Sequence, residues 1–86
     1  MLTFQDEDLI PFELDRGMIV PLVQMTGEEL PEVELNVGDK TYTYERSYNI
    51  KGHSAIMPQR VRELLSEGKK PLVIERPTRY YLYVSD

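Results

Sequence analysis

The chain has 86 residues and no cysteine, so one domain is expected, with neither a disulfide nor a thiolate metal site to brace it. Apolar residues make up 41% of it, enough for one small core, and no run approaches the roughly 20 apolar residues that span a bilayer. The formal charge of −5 is unevenly spread: residues 1–36 hold nine acids against Arg16 alone, whereas the stretch from Arg46 to Arg79 holds eight bases against three acids.

The acidic start, Met1 to Asp8, lacks the basic-then-apolar form of a secretory signal, which points to a cytoplasmic protein with no membrane partner. Residues 1–17 mix acids with Leu2, Phe4, Leu9, Ile10, Phe12 and Leu14 and are interrupted by Pro11 and Gly17. They read as an acidic arm with one short strand, and residues 18–86 read as the β-rich body of a single domain. Met18 to Met25 is β-branched and apolar around Pro21. Proline removes a ladder donor, so an edge or bent strand is expected there. Thr26 to Pro31 reads as a polar connection, and 32–36 as a short strand with Val33 and Leu35 facing one way.

Asn36-Val37-Gly38-Asp39 supplies turn chemistry for a hairpin. In the strand that follows, Tyr42, Tyr44, Tyr48 and Ile50 alternate with Thr41, Thr43, Glu45, Ser47 and Asn49. Period-two spacing places the first set on one face. Gly52 ends this strand. Pro58 suits the first position of a helix, because its missing amide hydrogen has no helical partner there. Val61, Leu64 and Leu65 then mark one apolar helical face. A helix over 58–67 is expected, closed by Gly68. Leu72–Glu75 and Tyr80–Val84 make a C-terminal hairpin around Arg76-Pro77-Thr78-Arg79. The fold class is α+β: a small, mostly antiparallel sheet or partly open barrel carrying one short helix.

No motif of established chemistry stands out. Asp6-Glu7-Asp8 lacks the spacing of a calcium loop, and no glycine-rich phosphate loop is present. His53 beside Ser54 lacks the third, orienting group that nucleophilic catalysis needs. No metal, cofactor or catalytic residue is assigned, and an enzyme is not expected. Tyrosine and arginine dominate protein-recognition hot spots. Arg76, Arg79, Tyr81 and Tyr83 on the C-terminal hairpin are therefore the candidate protein-binding residues. Tyr81 and Tyr83 alternate against Tyr80, Leu82 and Val84. Only one of those sets can face a one-sided core, so Tyr81 and Tyr83 are expected at the surface. The leading reading is a small non-enzymatic accessory or adaptor module that binds another protein.

A second reading starts from the basic stretch around the helix. Gly52, Ile56 and Pro58 are followed by Val61 and Arg62 three and four positions after the proline, with Leu65 as the next helical anchor and a hairpin beyond. In this order residues 51–84 resemble the AbrB/MazE-like swapped-hairpin family. The resemblance implies a homodimer with interleaved strands that binds DNA as a transcriptional regulator, with Lys51, Arg60 and Arg62 as the nucleic-acid contacts. The charge polarity suits a polyanion-binding half beside an acidic arm. It equally suits two halves that pack together and neutralise each other.

Overall fold

The computed structural model describes residues 2–52 and 56–86. The elements in chain order are β1 (Leu2–Phe4), a 3-10 turn (Asp6–Asp8), β2 (Ile10–Asp15), β3 (Met18–Gln24), β4 (Glu34–Val37), β5 (Lys40–Asn49), α1 (Ile56–Ser66), β6 (Lys70–Glu75) and β7 (Arg79–Ser85). All seven strands join one sheet in the order β1-β4-β5-β7-β6-β3-β2. Four neighbouring pairs run antiparallel. β1 with β4, and β3 with β6, run parallel. The sheet is therefore mixed, with two of its six pairs parallel where antiparallel pairing was expected to dominate. Among the described residues no helix is long and apolar enough to cross a membrane.

The sheet is not closed, since β1 and β2 are its two edges. It is nevertheless strongly curled. Residues 5–9 alone link β1 at one edge to β2 at the other. Fully extended, that link reaches about 20 Å. Edge strands of a flat seven-stranded sheet lie about 29 Å apart. The first seventeen residues thus supply both edges.

Two apolar clusters lie on opposite faces. On one, Met57, Val61 and Leu64 of α1 pack against Val20, Leu22, Tyr48, Val73, Tyr80 and Leu82. On the other, Val23, Leu35, Val37, Tyr42, Leu72, Ile74, Tyr81 and Tyr83 pack together, with Leu2, Phe4, Leu9, Met25 and Tyr44 at the margin. The core is two-sided, so the central strands bury consecutive residues rather than alternate ones. Leu72, Val73 and Ile74 of β6 and Tyr80 to Tyr83 of β7 are all buried.

Three local features depart from the simple patterns. The register of β5 on β7 slips between Tyr44 and Arg46, where Tyr44 faces Tyr83 and Arg46 faces the very next residue, Leu82. Glu45 is the extra residue of a β-bulge, and a bulge flips the parity of everything beyond it. Tyr42 and Tyr44 therefore join one cluster while Tyr48 and Ile50 join the other. The expected single tyrosine face is corrected to two. Next, β3 is internal, not an edge. It tolerates Pro21 because its ladder to β6 begins only at Leu22, and because Pro21 faces Pro11 of β2. Neither proline has an amide hydrogen to lose from that pair.

The helix is the third feature. It starts two residues before Pro58, which stays in the first turn, where amide hydrogens have no helical partner. Its buried stripe is Met57, Pro58, Val61 and Leu64, and Leu65 is exposed. Gly68, at φ +78°, ends it. Lys69 N–H donates to Leu64 O at 3.0 Å and Gly68 N–H to Leu65 O at 3.1 Å, the paired bonds of a left-handed glycine cap.

Candidate functional site

The structure separates the residues expected to form a surface on the C-terminal hairpin. Tyr81 is 7% exposed and Tyr83 2%, both in the cluster opposite α1. Their expected exposure is corrected: the second face of the sheet has its own core, and they fill it. The Tyr44 ring stands 6.1 Å from that of Tyr81 and 5.5 Å from that of Tyr83. Arg76 is 6% exposed, and its Nη1 donates to Thr26 O at 2.6 Å. Arg79 alone of the four is exposed, with Nη1 at 3.5 Å from Ser47 Oγ.

The basic residues around the helix are answered within the chain. Arg60 grips the bulge residue: its Nε donates to Glu45 Oε2 at 2.9 Å and its Nη2 to Glu45 Oε1 at 2.6 Å. Its Nη1 reaches Glu63 at 3.1 Å. Hydrogen bonds to Glu45 and then Glu63 raise the Arg60 pKa above its ordinary value. Arg62 pairs with Asp15 at the end of β2. α1 is thereby tethered at two points, with both arginines paired to the chain's own carboxylates and Arg62 still exposed to solvent. Lys51 is exposed. His53 and Ser54 lie outside the described residues. Asp6, Glu7 and Asp8 form the exposed 3-10 turn, where Asp8 Oδ2 accepts from Gln5 N–H at 2.8 Å. Among the described residues no group of three or more His, Cys, Asp or Glu side chains is placed to hold a metal.

What stands out instead is the connection from β3 to β4. These strands are separated in the sheet by β6, β7 and β5, so residues 25–33 pass all three. The segment is a strap pinned along its length. Thr26 O accepts from Arg76. Glu28 Oε1 accepts from both N–H and Oγ1 of Thr78 at 2.7 Å. Glu32 O accepts from the Tyr83 hydroxyl at 2.7 Å, and Glu32 Oε2 from Leu2 N–H at 3.0 Å. Val33 O accepts from Tyr44 N–H at 2.8 Å, beside the bulge. Burial, with the negative charge of Glu32 adding to it, pushes the Tyr83 pKa up from 10.0 to about 12.

Held this way, the strap turns two large apolar side chains outward. Leu30 is 90% exposed and Val33 73%, the two highest values among the exposed large hydrophobic residues. Four glutamates, Glu28, Glu29, Glu32 and Glu34, flank them along the sequence with no base between. Sequence reasoning passed over this site. Thr26–Pro31 reads as a plain polar connection, and Val33 reads as a strand residue facing the same way as Leu35. β4 begins only at Glu34, so Leu35 is buried and Val33 is not. The available signal was the pairing of Leu30 and Val33 with glutamates inside a turn-rich segment, where no core position calls for them.

Comparison with protein-family models, with curated proteins and with solved structures found no match to this chain.

Proposed function

We propose that this chain is a non-enzymatic module that binds another protein, and that it docks through the strap rather than through the C-terminal hairpin. The observation that carries the reading is the pairing of rigidity with apolar exposure: Leu30 and Val33 face solvent on a segment whose backbone and glutamates are bonded to β1, β5, β7 and the β6–β7 turn. Apolar side chains held in water gain free energy when a partner covers them. Fixing the backbone in advance lowers the entropy lost on docking, so the bonds that pin the strap favour association.

The chemistry of the strap defines its partner. Two exposed aliphatic side chains on an acidic segment fit an apolar pocket flanked by lysine or arginine. Opposite charges speed encounter and set orientation, and the apolar centre supplies the affinity. The DNA-binding alternative has less in its favour, because Arg60 and Arg62 are each paired with the chain's own acids.

The test compares wild type with Leu30→Ala/Val33→Ala and with Arg79→Ala. Each is used to capture proteins from native lysate, with and without nuclease, and the captured protein is then purified and titrated. The strap variant, with an unchanged melting temperature, should bind at least about tenfold more weakly, as for loss of a small hot spot. Unchanged affinity of the strap variant, or capture that depends on nucleic acid, contradicts the reading.

A further inference from the structure

An open sheet leaves two strands with one unpaired side, and the free N–H and C=O groups there are a template for a further strand. Here those strands are β1 and β2, and Thr3, Ile10, Pro11 and Glu13 on them are exposed. Which peptide groups of β2 face outward follows from its neighbours. Met25 N–H donates to Glu75 O at 2.8 Å, on the β6 side. Peptide groups two residues apart along a strand point the same way, so those of Val23 and Pro21 also face β6, and those of Leu22 and Val20 face β2. Leu22 stands opposite Ile10 and Val20 opposite Phe12, so Ile10 and Phe12 make the bonds to β3. Pro11, opposite Pro21, and Glu13, opposite Ile19, are turned to the free side.

That free side is short of donors. Pro11 has no N–H to offer. The N–H of Leu9, two residues earlier in the same series, is taken by Asp6 O at 3.1 Å in the 3-10 turn. From Leu9 to Glu13 the edge therefore holds a single donor, that of Glu13. The β1 edge is as bare. Leu2 N–H donates to Glu32 Oε2 at 3.0 Å and Phe4 O accepts from Gly38 N–H at 2.9 Å, both toward β4, while Gln5 N–H is taken by Asp8 Oδ2 at 2.8 Å. Thr3, between Leu2 and Phe4, is the β1 residue turned outward. Unpaired carbonyls remain on both edges, but a ladder needs donors and acceptors in alternation on each strand.

We infer that both free edges of the sheet are closed to strand addition, and that Pro11 is the residue that keeps two copies of this chain from pairing β2 to β2. Any partner is then engaged through side chains, as at the strap, rather than by extending the sheet. Docking through the strap does not depend on the edges.

Pro11→Val tests this, because it restores the N–H at an exposed strand position with a side chain that favours strands. Wild type, Pro11→Val and the same variant carrying a methyl group on the nitrogen of residue 11, made by chemical synthesis, are compared by sedimentation equilibrium over a concentration series. Wild type and the N-methyl form should stay monomeric, and Pro11→Val should rise to twice the monomer mass or more. Hydrogen exchange on the wild type checks the geometry without any substitution: the amides of Ile10 and Phe12 should be protected, and that of Glu13 should exchange as in an open chain. A Pro11→Val chain that stays monomeric throughout overturns the inference, as does equal association of all three forms. A Glu13 amide as protected as that of Phe12 overturns it as well.

Discussion

The Tyr83 hydroxyl donates to the Glu32 carbonyl, while the Tyr48 hydroxyl, also buried, has no hydrogen-bond partner among the described residues. A made bond contributes about 1 kcal/mol, and an unmade one in the core costs about 1–3 kcal/mol. Tyr83→Phe should therefore lower stability by about 1 kcal/mol in urea denaturation, because it strands the Glu32 carbonyl. Tyr48→Phe should be neutral or raise stability by about 1 kcal/mol. The same pair gives a dependence on pH. Burial raises both phenol pKa values, that of Tyr83 to about 12. A raised value means the folded state holds the proton more tightly than the unfolded chain. The resulting stability is complete below pH 10 and is lost as pH climbs through about 12. Tyr83→Phe should reduce the alkaline loss seen in wild type between those limits, measured as urea midpoint against pH.

At the scale of the element, α1 is fixed by a narrow apolar stripe and two ion pairs. Met57, Val61 and Leu64 sit at i, i+4 and i+7 and are fully buried, and Leu65 is turned a further residue around the helix into solvent. Leu64→Ala should cost about 3 kcal/mol by leaving a cavity against the sheet. Leu65→Ala should change stability by no more than about 0.5 kcal/mol. Denaturation of the two variants distinguishes this face from the one the spacing of Val61, Leu64 and Leu65 suggests. The bulge at Glu45 belongs to the same device. The extra residue re-aims its carboxylate at Arg60, so the irregularity that divides the tyrosines between two clusters also docks the helix.

At the scale of the whole molecule, what was legible in the sequence is what short-range pattern determines. The alternation of β5 as far as its bulge and the glycine that ends α1 were visible, and the helix itself was, though it starts two residues before the proline expected to open it. The order of strands was not, because parallel pairing of β1 with β4 and of β3 with β6 joins segments far apart in the chain. The second apolar face was hidden for a related reason. Tyr80 to Tyr83 carries no alternation when both faces are covered, and reading it against a one-sided core sends Tyr81 and Tyr83 to the surface. A single bulge residue reverses parity without any glycine to announce it. The strap was missed because its importance lies in contacts from Thr78, Tyr83, Leu2 and Tyr44, none of them adjacent in sequence. Site-specific photo-cross-linking in the native cell tests the strap most directly, with one photoreactive side chain placed at residue 30, 19 or 79 in separate variants. The account predicts a single discrete protein adduct from residue 30 that is absent from 19 and 79. Adducts from 19 or 79, with none from 30, would contradict it.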